Sequence, residues 1–165
     1  MRMSEKTYEN LNNLTAMCFN ANAIIDNLAY SLDFHYYNQI ADIVHHKVAH
    51  VMPEWADLIT NEMLILSGRP IRKDINGYDK DYTDVAEVFE ELFKTIYAIR
   101  EAVKGAIESA DMAGDDEVRI FGEDFLAKHI QPMLKQCEEW INASKVLSAH
   151  ELNIHIKEYT HFISL

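Results

Sequence analysis

Histidines and carboxylates are concentrated between residues 35 and 62, where histidines occupy positions 35, 45, 46 and 50. The candidate ligands are His35, Asp42, His46, His50, Glu54, Asp57 and Glu62. His46 and His50 are four residues apart and His35 precedes His46 by eleven, so a continuous helix would present all three on one face. Imidazoles and carboxylates that converge from helices suit iron or zinc. The stretch therefore predicts a metal site, and the alternative is a solvated helix face.

The apolar residues before this stretch recur at intervals of three and four, as in an amphipathic helix. They are Leu11, Leu14, Cys18, Ala21, Ile25, Leu28 and Leu32, and the same spacing continues onto His35, Gln39, Asp42 and His46. We therefore expect a first helix from about residue 5 to about 51, a range that allows a break near Asp33. A second helix is expected from Pro53 to Ser67-Gly68. Glu62 lies within its apolar face, so it must be paired, protonated or bound to a ligand.

The remainder of the chain predicts three more helices. The third runs from about residue 83 to 113, the fourth from about 116 to 143 with a kink at Pro132, and a short one follows Ser148. Residues 69–81 form a connection long enough to follow a bundle along its axis. The expected fold is all-α, with one domain over residues 1–165. It comprises a four-helix bundle at about 5–143 and a terminal helix at about 148–163.

The composition argues against several classes of protein. The net charge is −12, and neither end carries a basic run, so we expect no nucleic-acid partner. No apolar stretch is long enough to span a membrane, and the first residues do not resemble an export signal, which favours the cytoplasm. Cys18 and Cys137 fall on apolar helix faces, as reduced core thiols do. No phosphate-binding loop or hydrolase motif is present.

Four segments resemble those of Dps-type miniferritins, within the ferritin-like superfamily. They are FHYYNQIADIVHH at 34–46, NEMLILSGRP at 61–70, GAIESADMAGDDEV at 105–118 and FLAKHIQPMLKQCEEWI at 125–141. The resemblance covers most of residues 20–143. It implies a four-helix subunit that assembles through dimers into a hollow dodecamer. It also implies that iron is oxidised at a site shared across a two-fold interface between subunits.

The resemblance also implies a ligand set, with one subunit giving two histidines and an acid and the other an aspartate and a glutamate. His35 and His46 match the histidines, and His50 takes the position of the acid. Asp57 matches the aspartate, but the glutamate falls on Asn61, next to Glu62. A second register places the first pair at Asp42 and His46, and both registers stay open. A carboxylate replaced by His50 favours iron(III) less and makes zinc possible.

The same resemblance suggests that acids line a cation pore, namely Asp111, Asp115, Asp116 and Glu117. The alternative is that they are ordinary acids at helix ends. The leading hypothesis is a homo-oligomer that oxidises iron(II), stores it as mineral and protects against oxidative stress. The first alternative is a ferritin-like shell or binding protein with a degraded or zinc-filled site and no oxidation. A helical partner-binding protein without metal is a third.

Overall fold

The computed structural model describes residues 1–165 and is entirely helical. Its α-helices are α1 (Glu5–Phe34), α2 (Asn38–Ile43), α3 (Val51–Ile65), α4 (Val85–Ala113), α5 (Asp116–Phe125), α6 (Gln131–Val146) and α7 (Ala149–His155). Two π-helical segments, Val44–Ala49 and Leu126–Ile130, join α2 to α3 and α5 to α6. The bundle therefore has four long rods: α1, the α2–α3 rod, α4 and the α5–α6 rod. The all-α prediction is confirmed.

The chain breaks between α1 and α2, close to Asp33, where the expected first helix allowed a break. Tyr36 takes a left-handed backbone conformation with φ 71°, and the Tyr37 N–H bonds to the Leu32 carbonyl at 2.8 Å. The next helix begins at Asn38, not at Pro53. His35 therefore lies at the end of one rod, whereas His46 and His50 lie on the next. The prediction that one helix presents all three on a single face was wrong.

Each π segment directly precedes a proline that lies inside a rod. Pro53 is in the first turn of α3 and Pro132 in the first turn of α6. A proline in a helix has no N–H to donate and its ring crowds the carbonyl four residues earlier. A π turn widens the backbone where this crowding occurs. Pro53 therefore lies in the first turn of α3, as predicted, and α3 continues the rod that begins with α2.

The connection at residues 66–84 runs along α1 and sets the topology. Side chains of α1 hold its backbone at successive points: Asn12 Oδ1 accepts from Ile71 N at 2.8 Å, and Asn27 Nδ2 donates to the Lys80 carbonyl at 2.8 Å. The connection thus returns to the end of the bundle from which the α2–α3 rod started. As a result, α4 runs parallel to that rod and antiparallel to α1. One long crossover of this kind is typical of ferritin-like bundles.

The bundle core is apolar throughout. Its largest fully buried side chains include Trp140 and Phe89, which stack with ring centroids 5.5 Å apart. Cys18 and Cys137 are buried free thiols, and burial raises the pKa of Cys18 to about 12. No aspartate, glutamate or histidine is fully buried. No helix combines the length and apolar character that crossing a membrane requires.

Two polar contacts fix the ends of the rods. Asp115 precedes α5 and accepts hydrogen bonds from Ser4 N at 3.1 Å and from Thr7 Oγ1, which ties it to the start of α1. Burial alone would raise the pKa of Asp115, but these hydrogen bonds outweigh burial and hold the pKa below its ordinary value. At the other end, Ser148 Oγ caps α7 by accepting from Glu151 N at 3.2 Å and donates to Glu151 Oε1 at 3.0 Å, which is the first half of the expected capping box.

The C-terminal segment is held to the bundle by buried amides. Gln136 donates to the Tyr159 carbonyl and accepts from the backbone N–H groups of His161 and Phe162, each at 2.8 Å. Asn153 Oδ1 accepts from the N–H groups that begin α2. The terminal helix therefore contributes directly to the end of the rod that carries the histidines.

Candidate metal centre

Three histidines converge on the first π segment. The potential ligand atoms of His45, His46 and His50 all lie within 4.8 Å of one another. The ring centroids are 4.5 Å apart for His45 and His50 and 5.1 Å apart for His46 and His50. His45 is half-buried, whereas His46 and His50 are exposed. We call these three residues the histidine cluster.

The π turn is what brings His45 to the other two. On an α-helix, residues five apart are rotated by about 140° and face different sides. Here the His50 N–H donates to the His45 carbonyl at 3.2 Å, so that His50 follows His45 after one wide turn. His46 and His50 remain four residues apart and also share this side. The cluster therefore depends on the local backbone as well as on residue types.

Two carboxylates flank the cluster. Asp42 Oδ1 lies 3.4 Å from His46 Nε2, one turn earlier on the same rod. Asp26 on α1 reaches across the helix pair, and its Oδ1 lies 3.0 Å from His45 Nδ1. Sequence reasoning found Asp42 but missed Asp26, and it did not select His45 as a ligand. α-Helical spacing could not identify either residue. The contact of Asp26 crosses between two rods, and the position of His45 requires a π turn.

A cleft of about 240 Å³ opens beside the cluster. His45 and His46 form one wall, and the acids Asp33 and Asp42 form part of the rest. Tyr30 lies at its edge, with its ring centroid 6.1 Å from that of His45. The carboxylates of this cleft favour the approach of a cation to the imidazoles.

The structure places the other predicted ligands outside the cluster. His35 Nε2 lies 3.0 Å from Asp81 Oδ1 in the crossover connection. Glu54 and Asp57 are exposed on α3, and Glu62 is half-buried further along that helix. Only His46 and His50, together with the flanking Asp42, come together within one chain. Whether the α3 acids reach a cluster in another subunit stays a prediction.

The acids predicted to line a pore lie around the turn between α4 and α5. Arg119 is close to two of them, with 3.7 Å between its Nε and Asp111 Oδ1 and 3.9 Å between its Nη2 and Asp116 Oδ1. Asp115 is held on the start of α1, as described above. Glu117 is exposed and close enough to Glu62 to affect its ionisation. The pore remains a prediction, since it requires several subunits.

Glu62 offers a test by substitution, because it is half-buried and has no ion-pair partner. Burial raises its pKa above the ordinary range, and the charge of Glu117 adds to the rise. A raised pKa means that ionisation costs stability as the pH rises through the folded-state pKa. We expect Glu62→Gln to raise the free energy of unfolding at pH 7 by about 1 kcal/mol or less, because the side chain keeps some contact with water.

Urea denaturation at several pH values checks this prediction. The advantage of Glu62→Gln should shrink towards pH 4, where the wild-type carboxyl is protonated, and Glu54→Gln on the same helix is the exposed control. A variant less stable than wild type at pH 7 would contradict the expectation. Measured alongside, a drop in iron(II) oxidation would return Glu62 to the ligand set, through a second subunit.

Comparison with known families agrees with the architecture. The family model described as the ferritin-like domain matches residues 8–144, which is most of the chain and all four rods apart from the first few residues of α1 and the last of α6. No curated protein matches the chain. A single long crossover, four rods and a match of this extent lead to one conclusion: the chain belongs to the ferritin family.

Proposed function

We propose that this chain binds iron(II) at the histidine cluster, oxidises it and stores the product as mineral inside a hollow homo-oligomer of the Dps-type miniferritin kind. Such an activity would protect a cell from iron-driven oxidative damage. Proteins of the ferritin family generally bind iron. The observation that carries the proposal is the convergence of three imidazoles within 4.8 Å on one rod.

The donor set fits iron(II) chemically. Iron(II) is of borderline softness and accepts imidazole nitrogen together with carboxylate oxygen. His46 and His50 are exposed, so a bound ion remains accessible to oxygen or peroxide, each iron(II) giving up one electron. Asp42 and Asp26 beside the cluster supply negative charge that favours the more highly charged product. The chain's net charge of −12 adds a general attraction for cations.

The apolar core bears on where oxidation takes place. Di-iron proteins with an internal centre project several glutamates and Glu-x-x-His pairs into the bundle. No acid or histidine is fully buried in this bundle, so a centre of that kind has no ligands here. The outer face of the α2–α3 rod is the alternative location. There Asp57 and Asn61 are exposed and available to a neighbouring subunit.

Exposed apolar side chains support assembly of the chain with itself. Leu64 and Ile65 near the end of α3 are 60% and 56% exposed, and Phe34 and Tyr36 between α1 and α2 are 75% and 85% exposed. Large apolar groups left in water on this scale are typical of protein interfaces. Both groups lie on or next to the α2–α3 rod, which supports an interface along the rod that carries the cluster.

The richness in histidine also supports a second candidate, a zinc-binding ferritin-like protein without oxidation. Zinc favours nitrogen ligands and carries no redox chemistry. Of the five candidate donors, namely the three histidines of the cluster with Asp26 and Asp42, three are imidazoles. In that case the site would have a structural or binding role. The two candidates make opposite predictions for turnover, and they differ in metal content, because a stored mineral exceeds the one zinc ion that the cluster would hold.

An iron(II) oxidation time course with oxygen and with peroxide tests the proposal. We expect wild type to exceed the rate in buffer, and His46→Ala/His50→Ala to return it to that rate. His155→Ala is the matched control, because His155 is exposed, pairs with Glu158 and lies far from the cluster in the sequence. Sedimentation of the same samples reports the shell. A wild-type rate equal to buffer, with one zinc retained per chain, would replace the proposal with the zinc-binding candidate.

A further inference from the structure

One carboxylate oxygen near the cluster lacks a partner. Asp26 Oδ1 on α1 is buried from water and accepts no hydrogen bond, and no other side-chain polar atom in the protein is in that state. Burying such an oxygen without a donor is costly, so native proteins rarely leave one unsatisfied. An unsatisfied acceptor next to three imidazoles indicates that something else satisfies it.

The contact between Asp26 and His45 has a particular geometry. Oδ1 lies 3.0 Å from His45 Nδ1, which is a hydrogen-bonding distance, yet the ring is not oriented to donate to it. Two donor atoms that bind one ion at about 2.1 Å lie about 3.0–3.4 Å apart, with their lone pairs aimed at the ion and not at each other. The observed separation and misalignment match that arrangement better than an ion pair.

The backbone around Asp26 is positioned by a second contact between the same elements. Asn22, one turn earlier on α1, donates from Nδ2 to the Ala49 carbonyl at 2.8 Å. That carbonyl would bond to the N–H of residue 53 in a regular helix, but residue 53 is proline. Asn22 thus satisfies the group that Pro53 leaves free, and it fixes α1 against the π segment. Asp26 therefore faces the cluster from a rigid helix.

We propose that Asp26 is the fourth protein ligand of a metal site that a single chain completes, with His45, His46 and His50 as the other three. This assignment rests on the proposed function only in using the same cluster. It differs from a site shared across a subunit interface, because no group from a partner is required. One carboxylate oxygen and three imidazoles suit a divalent transition ion such as cobalt(II), zinc(II) or iron(II).

The ligand atoms must move a little to take an ion. The histidine ligand atoms lie up to 4.8 Å apart, which exceeds the separation of about 3.4 Å in a tetrahedral site, and Asp26 approaches only His45 in the present arrangement. His46 and His50 are exposed and free to rotate inward, whereas Asp26 and His45 are held by the packing of α1 against the π segment. The two inner ligands therefore form a fixed base, and the two outer ligands close on it.

Titration of the metal-free full-length protein with cobalt(II) tests the assignment, since cobalt(II) gains intense visible absorption in a four-coordinate site. We expect one cobalt(II) per chain, with an affinity that does not change when dilution alters the assembly state. Asp26→Asn should weaken binding by more than about 100-fold, beyond the 10–100-fold cost of losing an outer partner of a ligand. Asp124→Asn, an exposed acid on α5, is the matched control and should bind as wild type does, whereas Asp57→Asn tests the intersubunit alternative.

Several results would overturn the assignment. One is that Asp26→Asn keeps the wild-type affinity and spectrum. Another is that binding is lost in Asp57→Asn or on dilution to monomers, since either loss indicates an intersubunit site. If Asp26→Asn does not fold, infrared difference spectra of the wild type with and without cobalt(II) decide instead. The absence of cobalt-induced carboxylate bands in these spectra contradicts the assignment. Cobalt binding that depends on Asp26, without iron(II) oxidation, refutes the proposed function alone. Oxidation that survives Asp26→Asn with unchanged affinity refutes this inference alone.

Discussion

His45→Ala is expected to lower the affinity for cobalt(II) or zinc(II) by more than about 100-fold, equivalent to roughly 2.7 kcal/mol. His45 contacts His46 and His50 and is the member of the cluster that lies against Asp26. Its loss removes one of the two inner ligands, which no other side chain replaces. Calorimetric titration of metal-free protein measures the change, and His155→Ala provides a control histidine outside the cluster.

A parallel variant, His35→Ala, separates two accounts of the site. The family resemblance pairs His35 with His46, whereas the structure places His35 against Asp81 and groups His45 with His46 and His50. We expect His35→Ala to leave the metal affinity unchanged. If His35→Ala abolishes binding while His45→Ala retains it, the ligand set implied by the resemblance is correct and the single-chain cluster is not the metal site.

Local residue preferences were sufficient to predict the second half of the bundle. The C-terminal end of α4 coincides with Gly114, whose φ of 74° is a left-handed cap that glycine adopts without strain. Ser148 starts α7 as the expected side-chain N-cap. These ends depend on residues within a few positions of each other, so the sequence carries the necessary information. Predicted and observed limits of α4 accordingly agree to within about two residues.

The break after α1 was not predictable in the same way. The segment Phe34–Asn38 contains neither glycine nor proline, although Tyr36 takes a left-handed conformation that non-glycine residues seldom adopt. The turn is stabilised by contacts from elsewhere, since Asp81 pairs with His35 and Asn153 bonds to the first N–H groups of α2. The spacing of three and four residues continued through the break onto His35, Gln39 and Asp42, so the sequence allowed a break near Asp33 but did not fix its position.

The metal site was likewise predictable from the sequence only in part. Four-residue spacing found His46 and His50, and the same rule placed Asp42 beside His46. The ring of His45 joins them because a π turn changes the angular spacing, an effect that an α-helical pattern excludes by construction. Pro53 was the available indication, because a proline fifteen residues after the start of the rod at Asn38 must disturb the turn before it. Asp26 required knowledge of how α1 packs on the next rod.

Replacement of Asn153 with leucine is expected to destabilise the protein by about 2–4 kcal/mol, because two N–H groups at the start of α2 lose their acceptor. Asn153 Oδ1 lies 3.0 Å from both Gln39 N and Ile40 N, and Tyr37 at the N-cap position provides no side-chain acceptor. Asn153→Asp is the matched control, since a carboxylate accepts both bonds and suits a helix N-terminus.

Urea denaturation measures the loss, and hydrogen exchange at Gln39 and Ile40 locates it. We expect these two amides to exchange faster in Asn153→Leu than in Asn153→Asp, while cobalt(II) affinity stays within about threefold of wild type. The cluster begins five residues after Ile40 and is fixed from α1 by Asn22, so fraying of the first turn of α2 does not reach it. A stability loss below about 0.5 kcal/mol would show that water replaces the amide and that α7 is dispensable to the rod. A loss of metal affinity as large as that of His45→Ala would instead show that the C-terminal helix supports the π segment, and that the site depends on the terminal residues as well as on α1.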